Sequence, residues 1–430
     1  MEIRADPVYL EGMKGLDLKS FYAQSLGISA PWKVTEVAFD GDHSLVRITV
    51  ECAAGVVWAD PETGERAEIK GWRERTWRHL DTCHFQTIVT ARIPRLLLKD
   101  GKTMSVSVPW AEPGGRLTRA LEEHVIDLLR ECRTVRAAAR FAVLTDDMVD
   151  GVMRRAVTRG LLRREESFPT SLGIDDKSIR KGHRYATLLV DLDNGCVIDV
   201  ADGRTIDVAA GLLRGISETA RSGVEAIAMD MSPAYIAAAR EVLPDAAIVF
   251  DRFHVAMHLN AAVDRVRRTE QRRLSSSGDS GLKNSKYFWL RSSVDLRTRG
   301  AAEFRALLAR DLQTGTAWTL KENFRHFWEF RSLGRAMKFV SEWVDAVRAS
   351  GLKPMIDAAA TVMRHLDGIL NYLKHRITNA TCEGLNSMVQ SLKHSAKGLP
   401  NYEAFRTRIL FFLGQLDMRF SWLSPHRDSR

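Results

Sequence analysis

The period of hydrophobic and polar positions changes several times along the chain. Val34–Phe39, Leu45–Val50 and Phe85–Ile93 roughly alternate and are rich in β-branched residues, which predicts strands. Asp40-Gly41-Asp42, Asp60–Gly64 and Asp100-Gly101 separate them as turns. Residues 1–115 therefore read as a β-rich region. From 116 to 165 the period lengthens, with Leu117, Ala120, Leu121, Val125, Leu128 and Leu129 at helical spacing. Thr134 begins a short helix carrying Val135, Ala138 and Ala139. After a turn near 142–144, Thr145 caps a longer helix with Met148, Val149, Val152, Met153 and Ala156 on its inner face, and Gly160 reads as its stop. Short helix, tight turn, longer helix is the helix-turn-helix pattern. A three-helix unit that touches no DNA has the same pattern.

Residues 166–262 alternate between strand and helix. Tyr185–Asp191 and Gly195–Val200 form a hairpin across Asp193-Asn194-Gly195. A helix over 208–222, strand Ala226–Asp230, helix Pro233–Val242 and strand Ala246–Asp251 follow. A hairpin followed by β-α-β-α predicts a mixed sheet flanked by helices. Residues 263–375 read as almost wholly helical and tryptophan-rich, and 376–430 supply the last helices. The fold class expected is multidomain α+β.

Composition changes this picture little. Hydrophobic residues are 45% and charged residues 27%, an ordinary globular balance that excludes disorder as the main state. No apolar run reaches the length of a membrane span, so no membrane partner is expected. Without an apolar leader at the N-terminus and with five scattered cysteines, a cytoplasmic protein is expected. The charge does matter: 63 Lys plus Arg against 54 Asp plus Glu gives +9, which favours a polyanionic partner, usually nucleic acid.

Three acids are candidates for chemistry. Asp175 precedes the first strong strand, Asp230 ends the strand from Ala226, and Glu383 opens a late helix. Carboxylates at the carboxyl ends of sheet strands sit where α/β folds place ligands. Two or three that converge can hold Mg²⁺, and a pair of such ions roughly 3.5–4 Å apart activates water against a phosphodiester. Each acid also has a plainer reading: Asp230 as a helix cap before Ser232-Pro233, and Glu383 as a first-turn residue favoured by the helix dipole.

At Ile174-Asp175-Asp176, Arg180–Tyr185, Ala228–Tyr235, Val249–Val255, Lys286–Leu290, Thr378–Asn386 and Gly398–Tyr402 the chain resembles the DDE transposases of bacterial insertion sequences, specifically the ISL3 family. The resemblance implies an RNase H-like core interrupted by a helical insertion. It implies Asp175, Asp230 and Glu383 as catalytic acids and metal ligands. The cofactor would be two Mg²⁺ ions, with Mn²⁺ as a substitute. Asp251 and His254 match an Asp-x-x-His motif of related enzymes, which implies a supporting role; the alternative is an Asp that caps the helix containing His254. Candidate DNA contacts are Arg154, Arg155 and Arg159 in the helix-turn-helix, Arg180, Lys181, His183 and Arg184 after the first acid, and Arg265, Arg267, Arg268, Arg272 and Arg273 on one later helix. Trp289 and Tyr287 either stack on a splayed base or fill a helical core.

The chain departs from the family in two places. Asp175-Asp176 stands where the family usually has Asp-Glu. The N-terminal region keeps Arg75-Thr76-Trp77-Arg78-His79 through Cys83, yet Cys52 has no second cysteine at ribbon spacing and Leu96–Gly101 holds neither Cys nor His. A structural zinc takes four N or S ligands, so no structural zinc is expected. The expected activity is DNA strand cleavage and strand transfer. The partners are double-stranded DNA, as terminal inverted repeats and as target, and a second copy in a homodimer or higher oligomer at the nucleoid. Two rivals remain: a catalytically silent sequence-specific binder, and a structure-directed nuclease.

Overall fold

The computed structural model describes residues 17–60, 63–99, 101–180, 184–292, 301–377, 380–395 and 401–420, without the side chains at 179, 180, 184, 380, 382 and 383. It divides into two compact units, residues 1–162 with 417–430, and residues 163–416.

The first unit begins with α1 (Leu18–Ser25), whose cap Asp17 accepts from the Ser20 amide at 2.7 Å. Strands β1 (Trp32–Asp40), β2 (Leu45–Cys52), β3 (Trp58–Ala59), β4 (Arg66–Thr82), β5 (Phe85–Leu97) and β6 (Thr103–Ser105) form a sheet in the order β1-β2-β5-β4-β3, with β6 on β5. The predicted strands are β1, β2 and β5. The 17-residue β4 has no alternation signal, because its first half, from Arg66 to Thr76, is charged and largely solvent-facing. Only pairing with β5 makes it a strand. Trp110 stands edge-on to Trp32 and Trp77, at 5.3 and 5.4 Å between ring centres, and these three buried rings anchor the core.

His79 is buried in this unit, and its Nδ1 lies 2.9 Å from the Thr118 hydroxyl. Burial, then the Arg78 charge, pulls its pKa down to about 4. The unfolded chain therefore binds a proton near pH 6.5 that the folded unit refuses. Stability is fully present above that pH and declines as pH falls towards 4, by up to about 3 kcal/mol. In thermal melts between pH 7 and 4.5, His79→Gln should show a shallower decline than the parent; an unchanged slope would remove His79 as its source.

Helices α2 (Arg119–Cys132), α3 (Val135–Ala142) and α4 (Asp146–Arg163) complete the unit. The Thr134 hydroxyl caps α3 by accepting from the Ala137 amide, and the Thr145 hydroxyl accepts from the Met148 amide, as expected. Val143, at φ 54°, makes the tight turn between α3 and α4. Gly160 does not stop α4, which runs on to Arg163 with Gly160 buried.

Two candidate DNA contacts on α4 face inward. Arg155 bonds the carboxylate of Glu122, which is fully buried on α2. The Arg159 side chain is only 10% exposed; it donates to the Met418 carbonyl at 2.8 Å and lies 3.8 Å over the Phe420 ring. Both side chains thus have partners within the unit, Arg159 almost wholly buried and Arg155 still 34% exposed, because the apolar face of α4 turns them towards it. The same contacts place Asp417–Phe420 in the first unit, whereas the expected domain 376–430 ran unbroken to the end.

The second unit holds a five-stranded sheet. Strands β7 (Ser171–Arg180), β8 (Arg184–Asp191) and β9 (Cys196–Asp202) run antiparallel. After α5 (Ile206–Arg214) and α6 (Glu218–Ser222), which split the single helix expected over 208–222 at Gly215, come β10 (Ala226–Met229), α7 (Pro233–Val242) and β11 (Ala247–Phe250). β10 lies parallel to β7 and β11 parallel to β10, giving the order β11-β10-β7-β8-β9.

From β11 the chain enters the 25-residue α8 (Arg252–Ser276), which crosses the expected boundary at 262/263 without a break. Helices α9 (Lys286–Leu290), α10 (Ala301–Leu308), α11 (Gln313–Phe324), α12 (Leu333–Ala349), α13 (Lys353–Arg364) and α14 (Leu366–His375) follow. Buried Glu270 of α8 accepts from the Gln313 and Thr314 amides, at 2.9 and 2.8 Å, and so caps α11 from outside. Trp289 is fully buried and donates to the Ser285 hydroxyl at 3.0 Å, so it is core, while Tyr287 is 68% exposed. Gly368 lets α14 lie against β11: a Cβ there would stand 2.4 Å from the Phe250 ring. Helices α15 (Ala380–Ser395) and α16 (Tyr402–Leu413) return to the sheet.

Candidate active site

Strand register places the first acids. The last paired residues of β7 and β10 are Gly173 and Ala228, and Asp175 and Asp230 each lie two positions beyond. Met229 pairs with Phe250, and the next residues are Asp230 and Asp251. Neighbouring strands lie about 4.8 Å apart, so three aspartates stand in a row, Asp230 and Asp251 just past the ends of β10 and β11 and Asp175 within β7 where its parallel pairing has ended.

Each is held by its local backbone. One Asp175 oxygen accepts from the Asp176 amide at 2.8 Å; the other faces Lys177 Nζ at 3.2 Å and accepts from the Asn386 side-chain amide. Asp230 accepts from the Ser232 amide at 2.9 Å, so it does brace the start of α7, while Ser232 is the formal cap. Asp251 caps α8 by accepting from the Phe253 amide at 3.0 Å, and its second oxygen lies 3.3 Å from His254 Nδ1. The capping reading of Asp251 holds, and it leaves one oxygen turned to His254.

The electrostatics register a crowd of negative charge. Burial, then Asp175 and Asp230, pushes the Asp176 carboxyl above its usual range. The contact with Asp251 raises the His254 pKa, with Asp230 and Asp175 adding to it. His258, one turn on, is pulled down by burial and then by its neighbours His254 and Arg265. Arg204 lies 4.0 Å from Asp176 and stacks at the same distance over the Tyr185 ring.

Helix α15 brings the last segment to this row. Lys393 Nζ donates to the Ser178 carbonyl at 2.7 Å, and Asn386 bonds Asp175. Residue 383 is three positions before Asn386 in the same helix, and its side chain lies outside the described residues. Among the described residues no three Cys, His, Asp or Glu side chains close on one metal position. The donor chemistry nonetheless suits a hard cation: oxygen ligands, mutually repelling and partly dehydrated. Sequence reasoning missed Asn386 and Lys177 as neighbours of Asp175. Asn386 closes the quoted segment Thr378–Asn386, which was the available signal.

The basic candidates divide. Lys181 and His183 lie outside the described residues, as do the side chains of Arg180 and Arg184. On α8, Arg267 is 7% exposed and locked to Asp264 at 2.8 Å, so it is corrected to an interior residue. Arg273 is exposed but bonds buried Glu270 at 3.3 Å. His254, His258, Ala261, Arg265, Arg268 and Arg272 follow alternating spacings of four and three, which is one helix face. That face is exposed from His258 outward and runs about 27 Å from the acidic row.

Comparison with known proteins adds three domain matches. Residues 172–409 match a family profile described as transposase. Residues 106–157 match the helix-turn-helix domain of transposase family ISL3, and residues 57–99 match the zinc-finger of the IS204/IS1001/IS1096/IS1165 transposases. The transposase for insertion sequence element IS1001 of Bordetella parapertussis is 26% identical over 331 residues, covering 76% of this chain and 81% of that protein. The transposase for IS1557 of Mycobacterium tuberculosis is 23% identical over 410 residues, covering 88% and 92%.

The zinc-finger match corrects the expectation of a metal-free N-terminal region. It covers the β3–β4–β5 segment, which is therefore a zinc-finger region by relationship. In that segment Cys83 is exposed at a turn with φ 57°, and His79 is engaged with Thr118.

Proposed function

Because the chain belongs to the ISL3 family of insertion-sequence transposases, we propose that it binds the terminal inverted repeats of its element, hydrolyses DNA strands at the element ends and joins the freed 3′-hydroxyls to target DNA. The observation that carries the catalytic part is the register that sets Asp175 beside Asp230, with α15 tied to Asp175 through Asn386. The strand order, three antiparallel strands extended by two parallel ones, supports an RNase H-like core.

Asp175, Asp230 and Glu383 are the residues that would hold Mg²⁺. When bound there, two such ions would activate a water or hydroxyl and stabilise the leaving oxygen, without a covalent protein intermediate. Asn386 and Lys177 hold the Asp175 carboxylate in one orientation. Asp251 orients His254, and its charge favours the protonated ring, which suits a phosphate-facing donor. The α8 face carries Arg265, Arg272 and Arg268, the last also paired with Asp264 at 2.8 Å, away from the acids as a track for the phosphates of one strand. Two ends must be cut and joined together, so a dimer or larger assembly is the working form, acting at the nucleoid.

Cleavage of end-containing duplex with Mg²⁺ tests the reading directly. Nicking that ignores the end sequence would favour a structure-directed nuclease, and binding without cutting would favour a silent binder. A second test addresses the track. Each lost phosphate contact removes about 0.9 from the log–log salt slope, so replacing Arg265, Arg268 and Arg272 together by Gln should flatten the slope by about 2–3. An unchanged slope would remove α8 from the DNA path.

A further inference from the structure

We infer that the first helix of the helix-turn-helix, α3, and not the arginines of α4, holds the DNA backbone in the first unit, through Arg136 and Arg140. This rests on the proposed DNA binding and deepens it. The three arginines in the middle of α4 already have partners within the unit. Arg155 is bonded to buried Glu122, Arg159 is packed under Phe420, and Arg154 pairs with Asp150 at 3.3 Å. The first turn of α4 also carries Asp146 and Asp147, both exposed, which repel phosphate.

The preceding helix has the opposite character. Arg136 and Arg140 are exposed, and among the described residues neither makes an ion pair. At a spacing of four they share one side of α3, about 6 Å apart along its axis. Arg140 also borders a cleft of about 550 Å³ whose other walls include Val143 and Thr145 of the turn and Arg78 and Gln86 of the sheet. Phe141, next to Arg140 in the chain, and Val143 of the cleft wall are 72% and 65% exposed. Large apolar side chains left open beside free guanidinium groups mark a surface that a partner covers. A duplex provides both contacts, phosphate for the arginines and sugar or thymine methyl for the apolar pair. In a helix-turn-helix the first helix is the one that crosses the backbone, which is the role these charges fit.

The test is end binding by the full chain across a salt series. Arg136→Gln with Arg140→Gln should weaken binding at least tenfold near physiological salt and reduce the salt slope by about 2, with the thermal melt unchanged. Arg136→Lys with Arg140→Lys should keep the slope, because a point charge suffices for phosphate. Arg154→Ala should leave both quantities at the parental value. Parental affinity and slope in the Gln pair, or an equal loss in Arg154→Ala, would overturn the inference while leaving end binding intact. No binding by the parental chain would overturn the proposed function as well.

Discussion

Asp230→Asn should abolish strand cleavage, by about three orders of magnitude or more, while leaving binding to element ends at the parental level or slightly tighter. Asp230 stands between Asp175 and Asp251 at the strand ends, within the charge field that raises Asp176 and His254. The amide keeps the size of the carboxylate and can still accept from the Ser232 amide, so the start of α7 survives. What is lost is one negative oxygen ligand, and each 1.36 kcal/mol of lost transition-state stabilisation is tenfold in rate. Less negative charge also repels phosphate less. Gel shift and cleavage should be measured on one end-containing duplex. Cleavage at the parental rate would remove Asp230 from catalysis. Loss of binding together with unfolding would make the brace on α7 its main role.

Arg155→Leu should destabilise the first unit by about 2–4 kcal/mol. The substitution leaves Glu122 fully buried without its bonded partner, and only the more distant charge of Arg159 still favours its carboxylate. Breaking a buried pair typically costs about 3–5 kcal/mol, and the figure is reduced here because the Arg155 side chain is 34% exposed. Burial already pushes the Glu122 carboxyl above its usual range, with Arg155 opposing the shift. Without Arg155 the group protonates more readily, so the deficit should shrink as pH falls. Glu122→Leu combined with Arg155→Leu should recover much of the loss, because no charge then remains to bury. Thermal melts of both variants at pH 7.5 and 5.5 decide this. A single variant that melts with the parent would show that the pair contributes nothing net.

The two results test opposite kinds of residue, and the sequence distinguished them unequally. Asp175 and Asp230 could be singled out in the sequence because carboxylates near the ends of sheet strands sit where α/β folds place ligands, and because the segments around them follow a family order. Arg155 and Arg159 read from sequence as phosphate contacts, since a cation in a helix-turn-helix looks like one until its inward partner is known. Glu122 and Phe420 are distant in sequence, so nothing local to α4 announces them. Arg267 differs: its partner Asp264 is one turn away and could have been paired with it by spacing alone. The zinc expectation failed differently: counting ligands cannot register a relationship that spans residues 57–99 as a whole.

By itself the sequence determined the local elements. Period-2 and period-3.6 patterns gave β1, β2, β5 and β8 to β11, and threonine caps gave the starts of α3 and α4, because such signals lie within a few residues of one another. It also determined the basic charge, the order of the acidic segments and the helical character of the stretch before Glu383. The tertiary structure alone decided β4, which is charged on both sides and becomes a strand only beside β5. It alone set Asp175, Asp230 and Asp251 in adjacent positions, since parallel register depends on crossovers of many residues. It brought Asn386 to Asp175 and turned Arg155, Arg159 and Arg267 inward. The physical reason is common to all of these: whether a polar side chain meets water, a buried carboxylate or another strand is fixed by packing between segments far apart in the chain.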